Sequence, residues 1–324
     1  MRREALFLLG VISFFLMASA PFAAEPRSPG RVYRIGWLSP GTVESNVEYV
    51  EVFRSGLADL GWNRGNTEIV ERYANRNRER LPELASELVA LKVDVIVAAG
   101  DASVHAAIGA TRKIPIVFPI SSDPIGERLI SSLAHPGGNA TGESYLAPDL
   151  YAKELSHLKE AMPGLRKVGV VTDNSDPSNE GIVKALQTAA KTIGVELKMV
   201  DIRPLDDLDA RLNAMNSAGV QAITGYVLYP GALEKLIRFG IANRVPLAGY
   251  TEGLPGLLSL EVDDIQMTRR SAYYVDRILR GANPGDLAVE QPTKFQLIVN
   301  LKTAKVFGLA IPQSLLIRAT NIIQ

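Results

Sequence analysis

The sequence predicts an α/β protein with two Rossmann-like domains, each built on a parallel sheet, and three observations support this. Strand-like and helix-like segments alternate along residues 32–248, the order expected when helical crossovers join parallel strands. The stretch 93–99 is nearly all apolar, which is typical of a strand covered on both faces. Roughly 300 residues follow residue 24, and a chain of this length favours two domains.

The first round of alternation predicts four strands and three helices. They are strand Val32–Leu38, helix Asn46–Leu60, strand Thr67–Tyr73, helix Leu81–Leu91, strand Val93–Ala99, helix Gly100–Ala110 and strand Ile114–Phe118. In the first of these helices, Val50, Phe53 and Leu57 recur at helical spacing, and Gly61 is a typical helix stop.

The second round repeats this architecture without a residue-level repeat. Its segments are helix Leu150–Met162, strand Lys167–Thr172, helix Asn179–Ile193, strand Glu196–Val200, helix Leu205–Ser217, strand Ala222–Val227, helix Gly231–Asn243 and strand Val245–Ala248. The end of the chain departs from simple alternation. It predicts strand Leu257–Glu261, helix Asp264–Leu279, strand Phe295–Asn300 and a helix that ends at Phe307.

The first 24 residues have the layout of a secretory signal peptide. Arg2 and Arg3 precede an apolar run, Ala5–Ala18, and small residues follow at 18–20. The alternative is an uncleaved membrane anchor, but the run is shorter than the roughly 20 apolar residues of a membrane span. No later stretch has that length and character. We therefore expect export to the periplasm.

Composition excludes several classes of function. The chain has no cysteine, so it lacks the residue to which a bacterial lipoprotein attaches its lipid. It carries 35 basic and 35 acidic side chains, and such a neutral chain lacks the basic surface of a nucleic-acid-binding protein. No Gly-x-Gly-x-x-Gly, Walker loop or Gly-x-Ser-x-Gly motif is present, and the histidines, His105, His135 and His157, have no metal-ligand spacing. We expect no enzyme activity, no cofactor and no metal.

Two segments carry a resemblance to a known family. Residues 131–142 read SSLAHPGGNATG, and residues 291–312 pass from a β-rich run into a short helix that stops at Gly308 before Pro312. Both resemble segments of bacterial ABC-transporter substrate-binding proteins, a family that includes tryptophan- and tyrosine-binding members. The resemblance covers nearly all of the chain after residue 24.

The resemblance implies a type I periplasmic binding protein, with two lobes joined by a three-stranded hinge. We place the crossings between lobes near Ala147, Gly249 and Pro284. The N-terminal lobe then comprises 32–147 and 250–284, and the C-terminal lobe 148–249 and 285–324. The implied protein is a monomer that captures an amino acid or a related carboxylated, including aromatic, solute and delivers it to a membrane permease. A sensory receptor with the same fold is the alternative.

Ligands in open α/β sheets bind beyond the carboxyl ends of the strands, where helix N-termini present free N–H groups. The candidate ligand-binding residues follow predicted strands: Ser39, Gly41, Thr42, Gly100, Asp101, Ser103, Ser121, Ser122, Asp123, Tyr145, Asn174, Ser175, Tyr226, Tyr229, Tyr250 and Glu252. Helix capping is an alternative role for the loop at 39–42 and for Asp101. For Tyr226, the alternative is that its side chain packs in the hydrophobic core.

Residues at three places in the chain depart from the pattern of the resembled family. Asp101 stands where relatives commonly have a small neutral residue, and it disfavours a bare anion or binds the ammonium group of a ligand. Glu127 and Arg128 replace small residues, for which a surface ion pair is the simplest explanation. Leu260 and Glu261 replace a tyrosine–glycine pair, which argues for a pocket that differs from one for aromatic amino acids.

Overall fold

The computed structural model describes residues 30–225, 230–251, 253 and 255–324. The predicted signal peptide, 1–24, lies outside the described residues. The first half of the fold contains β1 (Tyr33–Ser39), α1 (Val43–Asp59), β2 (Thr67–Tyr73), α2 (Leu81–Ala90), β3 (Val95–Ala98), α3 (Asp101–Ala110), β4 (Ile116–Ser121) and β5 (Ala140–Ser144). A short 3-10 turn, Arg78–Arg80, precedes α2.

The second half begins with α4 and ends on a short strand. It contains α4 (Ala147–Ala161), β6 (Lys167–Thr172), α5 (Asn179–Ile193), β7 (Glu196–Asp201), α6 (Leu208–Ser217), β8 (Ala222–Gly225), α7 (Pro230–Asn243), β9 (Leu247–Ala248), β10 (Gly256–Glu261), α8 (Asp264–Leu279), β11 (Gln296–Asn300), α9 (Leu301–Phe307), α10 (Gln313–Arg318) and β12 (Asn321–Ile323).

The first sheet has the strand order β2-β1-β3-β4-β5, and every pairing in it is parallel. Its central strand, β3, shows why both faces are covered. Val95 and Val97 face α1 and α8, whereas Ile96 and Ala98 face α2 and α3, and all four are fully buried. The period of two along an apolar strand thus supplies two cores.

The second sheet has the order β12-β11-β10-β9-β8-β6-β7. Its pairings are parallel except for β10 with β11, which is antiparallel. One core lies under α4 and α5 and the other under α6 and α7. The predicted α/β fold with two sheets, dominated by parallel strands, is confirmed. Among the described residues, no helix combines the length and the apolar character that a bilayer span requires.

Two of the predicted crossings differ from the structure. The chain passes between the sheets at 145–147, at 262–263 and at 291–295. β10 belongs to the second sheet because it pairs with β9 and β11, so the prediction that places all of 250–284 in the first lobe is wrong for this strand. The third crossing comes after Pro284, since Glu290 still exchanges backbone hydrogen bonds with β5.

Three elements are absent from the sequence prediction. β5 has the sequence Ala-Thr-Gly-Glu-Ser, without the run of branched or aromatic residues that favours a strand, yet all five residues are buried. Its place is fixed by pairing with β4 on one side and by hydrogen bonds to 287–290 on the other. α10 and β12 are short, with six and three residues, and β12 is held by pairing with β11.

Candidate functional site

The carboxyl ends of the first sheet surround a cavity of about 360 Å³, which we call the main cavity. Strands β1, β3 and β4 end at it, and the first turns of α1 and α8 close its side. It is lined by Trp37, Ser39, Gly41, Asn46, Tyr49, Arg76, Arg78, Gly100, Ile120, Asp264 and Thr268, with four neighbours between them. This is the edge of a parallel sheet at which ligands are expected.

The loop after β1 forms the floor of the main cavity. The Gly41 N–H donates to Ser39 Oγ at 3.1 Å, and Thr42 caps α1 by accepting from the Ser45 N–H at 3.3 Å. Asn46 is buried, and its Nδ2 donates to the Thr42 carbonyl at 2.8 Å. A Cβ at Gly41 would lie 2.6 Å from Ser45 Oγ, so glycine is what this turn accommodates.

Two aromatic side chains give the main cavity an apolar wall with polar tips. Trp37 is 1% exposed, and its Nε1 donates to Asn46 Oδ1 at 3.3 Å. The Tyr49 hydroxyl donates to Asp264 Oδ2 at 2.7 Å, which joins α1 to the start of α8. Burial raises the pKa of Tyr49, and the hydrogen bond to Asp264 raises it further, so the phenol stays protonated. Such a wall suits a flat ligand.

The loop after β2 brings two arginines to the main cavity. The backbone N–H groups of Ala74, Asn75 and Arg76 donate to carbonyls of the β1 loop, which holds the two loops together. Asn75 and Arg76 have positive φ, 52° and 65°. Arg76 is exposed at the mouth of the cavity, and no described carboxylate lies within ion-pair distance of its guanidinium. Its charge is therefore available to a carboxylated ligand.

A small cavity of about 50 Å³ adjoins the main one and shares four lining residues with it, among them Gly100 and Ile120. Asp101, Ala102, Ser122, Tyr145, Asp176 and Ser178 complete its wall. The Asp101 oxygens accept from the Ser122 N–H at 3.1 and 3.2 Å, and Ser122 Oγ donates to the Tyr145 hydroxyl at 3.1 Å. Burial raises the pKa of Asp101. Asp101 does not cap α3, because it is the first residue of that helix. The N-cap position belongs to Gly100, which has no side chain.

The two sheets are joined across the cleft by one arginine. Arg78, from the first lobe, donates from Nη1 to Asp173 Oδ2 at 2.9 Å and from Nη2 to Asp176 Oδ2 at 2.6 Å. Both aspartates follow β6 of the second sheet, and the three side chains are 11%, 6% and 10% exposed. Arg203 adds a longer contact of 3.5 Å to Asp173. In this arrangement the cleft is closed over the small cavity.

Glu127 and Asp101, which both depart from the pattern of the resembled family, lie close enough for their charges to interact. Glu127 does not form the expected surface pair with Arg128; it lies 3.1 Å from His105 Nε2, and its side chain is only 6% exposed. Burial raises the pKa of Glu127 to about 7, with the charge of Asp101 contributing. The hydrogen bond from His105 opposes this rise, and the same bond raises the pKa of His105.

The structure brings six of the predicted site residues to the two cavities. Ser39, Gly41 and Gly100 line the main cavity, and Asp101, Ser122 and Tyr145 line the small one. Gly100 also borders the small cavity. These six come from four separate loops or strand ends, β1–α1, β3–α3, β4 and β5–α4, as the rule for strand ends predicts. Their role in ligand binding stays a prediction.

The other described candidates lie elsewhere. Thr42 caps α1, Ser103 and Ser121 are fully buried, and Asp123 Oδ1 accepts from the Gly126 N–H. Asn174 is exposed, Ser175 donates to Asp173, and Tyr250 borders a separate cavity behind β8. Tyr226, Tyr229 and Glu252 lie outside the described residues.

Several lining residues were not predicted from the sequence: Trp37, Asn46, Tyr49, Arg76, Arg78, Asp264 and Thr268. For the two arginines the signal was present, because they follow β2, the neighbour of β1 in the sheet. Asp264 and Thr268 had no signal, since their place depends on α8 packing against α1. Across the described part of the chain, no three side chains of the metal-ligating types are positioned to hold a metal ion.

Comparison with known proteins gives three similarities. A family model described as "ABC transporter substrate binding protein" matches residues 42–323. A tyrosine-binding protein from Clostridioides difficile is 26% identical over 263 residues, which cover 79% of this chain and 75% of that protein. A conserved domain protein from Vibrio cholerae superposes with a TM-score of 0.82 at 25% identity, over 90% of this chain and 100% of that one.

A further solved structure shows the same fold. It is an ABC domain in complex with L-Trp from Streptococcus pneumoniae, with a TM-score of 0.80 at 22% identity. The match covers 89% of this chain and 100% of that one. The fold is thus shared along almost the whole described length.

Proposed function

The chain belongs to the family of ABC transporter substrate-binding proteins, and from this premise we propose that it captures an amino acid or a related carboxylated solute in the cleft between its sheets and delivers it to a permease. The observation that supports this most is the closed cleft. A main cavity of about 360 Å³ lies at the carboxyl edge of the first sheet, and an arginine joins the two lobes beside it.

The lining of the main cavity supports a ligand with a carboxylate and an apolar body. Arg76 is available to a carboxylate, and the Gly41 loop lies at the N-terminus of α1, where the helix dipole favours an anion. Trp37 and Tyr49 offer flat apolar faces. The similar proteins are consistent with this ligand class, since one is named for tyrosine and another holds L-Trp.

The proposal includes export without a lipid anchor. The basic pair and apolar run of residues 1–24 support a cleaved signal peptide, and the chain has no cysteine for lipidation. A soluble monomer in the periplasm would then carry the solute to the membrane. Closure of two hinged lobes around a ligand gives the permease a shape to recognise, because a ligand that binds the closed form better increases its population.

The proposal is tested by screening the purified protein against amino acids, aromatic carboxylates and other small metabolites. We expect at least one carboxylated compound to raise the melting temperature, by an amount that grows with its concentration. Arg76→Gln should weaken that compound about tenfold or more, as expected for a lost charge-assisted contact. Arg64→Gln is the control, since Arg64 is exposed and lies outside the cavity.

Two outcomes would count against the proposal. If no compound shifts the melting temperature, or if a compound is converted to product, the protein is not a solute-binding protein for carboxylated compounds. Delivery is tested separately by deleting the gene and measuring uptake of the labelled ligand. Unchanged uptake together with a lost chemotactic or transcriptional response would favour the sensory alternative.

A further inference from the structure

The small cavity at the centre of the cleft has an excess of negative charge. Asp101, Asp176 and Arg78 line it, and Arg78 also pairs with Asp173, which Arg203 contacts from outside the cavity wall. When all five groups are ionised, the cluster carries one uncompensated negative charge. One bound cation would neutralise this charge.

Among the described residues, Asp101 is the one of these carboxylates with no cationic group within ion-pair distance. Arg78 pairs with Asp173 and Asp176, whereas the two oxygens of Asp101 share the backbone N–H of Ser122. A carboxylate can accept about four hydrogen bonds, so Asp101 retains acceptor capacity. It is 8% exposed and borders the cavity. A buried charge in this state destabilises the protein unless a ligand compensates it.

The space beside Asp101 fits a primary ammonium group. The cavity of about 50 Å³ exceeds the roughly 10–15 Å³ that on this measure is needed to hold one water molecule. It opens into the main cavity past Gly100 and Ile120, which border both. A ligand can therefore place its amine beside Asp101 and its body in the main cavity, which Trp37 and Tyr49 line.

We propose that Asp101 and Asp176 together bind a protonated primary amine of the ligand, so that the protein selects solutes that carry an amine. Asp101 approaches from the first sheet and Asp176 from the second. Bound between them, the amine holds the lobes together beside Arg78. This inference rests on the proposed function and names the chemical class of its solute. A carboxylate without an amine leaves Asp101 uncompensated and binds more weakly.

The electrostatics of the free site agree with this. Burial raises the pKa of Asp101, and the charge of Asp176 raises it further. An ammonium group favours the ionised carboxylate and so lowers that pKa on binding. Binding therefore releases protons from Asp101 at any pH where part of the free protein holds this carboxyl group protonated.

The first experiment compares matched compounds by calorimetry. The probes are the twenty proteinogenic amino acids, the amine-free analogue of each, such as indole-3-propionate for tryptophan, and simple amines such as tryptamine. We expect the best amine-bearing ligand to bind at least about tenfold more tightly than its amine-free analogue. Equal affinity would overturn the inference and leave the proposed function standing. Binding by no probe would overturn both.

The second experiment changes the carboxylate. Asp101→Asn keeps an oxygen that can accept from the Ser122 N–H, and it should lower the affinity for the amine-bearing ligand about tenfold or more while the amine-free analogue is unaffected. Asp149→Asn, at an exposed position of α4, is the control and should change neither affinity. An Asp101→Asn protein that keeps the preference for the amine would contradict the assignment.

A third readout is the release of protons on binding. As the pH is lowered below neutrality, the apparent binding enthalpy should come to depend on the ionisation enthalpy of the buffer, in the direction of proton release. The comparison is made for the unmodified protein and for Asp101→Asn, because Glu127 and His105 lie within the field of Asp101 and also titrate. Proton uptake, or no dependence on the buffer, would contradict a role for Asp101 as the receptor of the amine.

Discussion

Two buried carboxyl groups outside the cleft, those of Glu154 and Glu143, differ in whether hydrogen-bond donors reach them. Glu154 is 2% exposed, and it accepts from Thr224 Oγ1 at 2.9 Å and from the Leu260 N–H at 3.2 Å. Glu143, on β5, is 6% exposed, and its Oε1 has no hydrogen-bond partner among the described residues. It also lies beside Glu290, whose own charge is compensated by Arg270. Glu143 is therefore a residue whose ionisation the fold opposes.

Glu143→Gln should remove a pH dependence of stability. Burial and the charge of Glu290 raise the pKa of Glu143 from 4.5 to about 8. Between those two pH values the unfolded chain has lost this proton and the folded protein keeps it, so the free energy of unfolding falls as pH rises. Relative to the unmodified protein, the variant should gain roughly 1–3 kcal/mol between pH 5 and pH 8. Urea unfolding at both pH values measures this.

The control for this experiment is Glu83→Gln, since Glu83 is exposed on α2. Its free energy of unfolding should keep the pH slope of the unmodified protein. A Glu143→Gln variant that loses stability equally at pH 5 and pH 8 would show that the carboxyl group is ionised in the fold throughout, contrary to the expectation.

At the scale of elements, α8 belongs to the first lobe although it follows the second-sheet strand β10 in the chain. It packs on α1, and the Nε1 of Trp62, which follows α1, donates to Asp276 Oδ1 at 2.8 Å. The close approach occurs at Gly56, in α1. A Cβ there would lie 2.8 Å from the Arg269 carbonyl oxygen and 2.9 Å from the Ala272 Cβ. This packing also places Asp264 and Thr268 at the main cavity.

Two glycine-to-alanine substitutions test this packing against helix propensity. Gly56→Ala adds a methyl group where backbone is already in contact, and it should lower the free energy of unfolding by about 1–3 kcal/mol. Gly109→Ala, in α3, adds the same group where nothing lies within 4 Å, and it should raise that free energy by roughly 0.5–1 kcal/mol. Urea unfolding of both variants gives the comparison. Equal effects would mean that α8 does not contact α1 closely.

The sequence predicted the elements whose own residues carry a strong pattern. β3 and α8 were predicted to within two residues because an apolar run or a helical period marks them. β5 was missed because its five residues are small or polar, and it is a strand only by virtue of its neighbours. The crossing after β10 was misplaced for a related reason: no local pattern says which of two sheets an apolar strand joins.

The same distinction explains how much of the site was predictable. Asp101 and Ser122 were found because they follow strands, and the rule for strand ends needs only the strand assignment. Thr42 followed a strand too, but its side chain caps α1. Arg78 also follows a strand, β2, but its contact across the cleft had no local signal, because its partners, Asp173 and Asp176, lie about a hundred residues away in the chain. Contacts of that range depend on how the lobes meet, which local patterns do not encode.

For the whole molecule, the contact of Arg78 with Asp173 and Asp176 connects the lobes where they close. The three side chains are largely buried, so salt screens them less than surface pairs. Removing one partner of a buried pair leaves a buried charge uncompensated, here above all that of Asp176, and this destabilises the arrangement by about 3–5 kcal/mol. Opening the cleft would return both aspartates to water. If the lobes hinge as proposed, the energy of this contact contributes to the balance between an open and a closed form.

Arg78→Gln should shift the ligand-free protein toward an open form. Glutamine cannot supply a positive charge to two aspartates, so the closed form loses stability that the open form never had. A preference of about 3–5 kcal/mol is enough to reverse a population ratio of ten to one. We expect the radius of gyration from small-angle X-ray scattering to be larger for the variant than for the unmodified protein. Arg72→Gln is the matched control, because Arg72 pairs with Glu87 at 2.6 Å within the first lobe, and it should leave the radius unchanged. An equal radius of gyration for all three proteins would show that contacts other than those of Arg78 hold the lobes together.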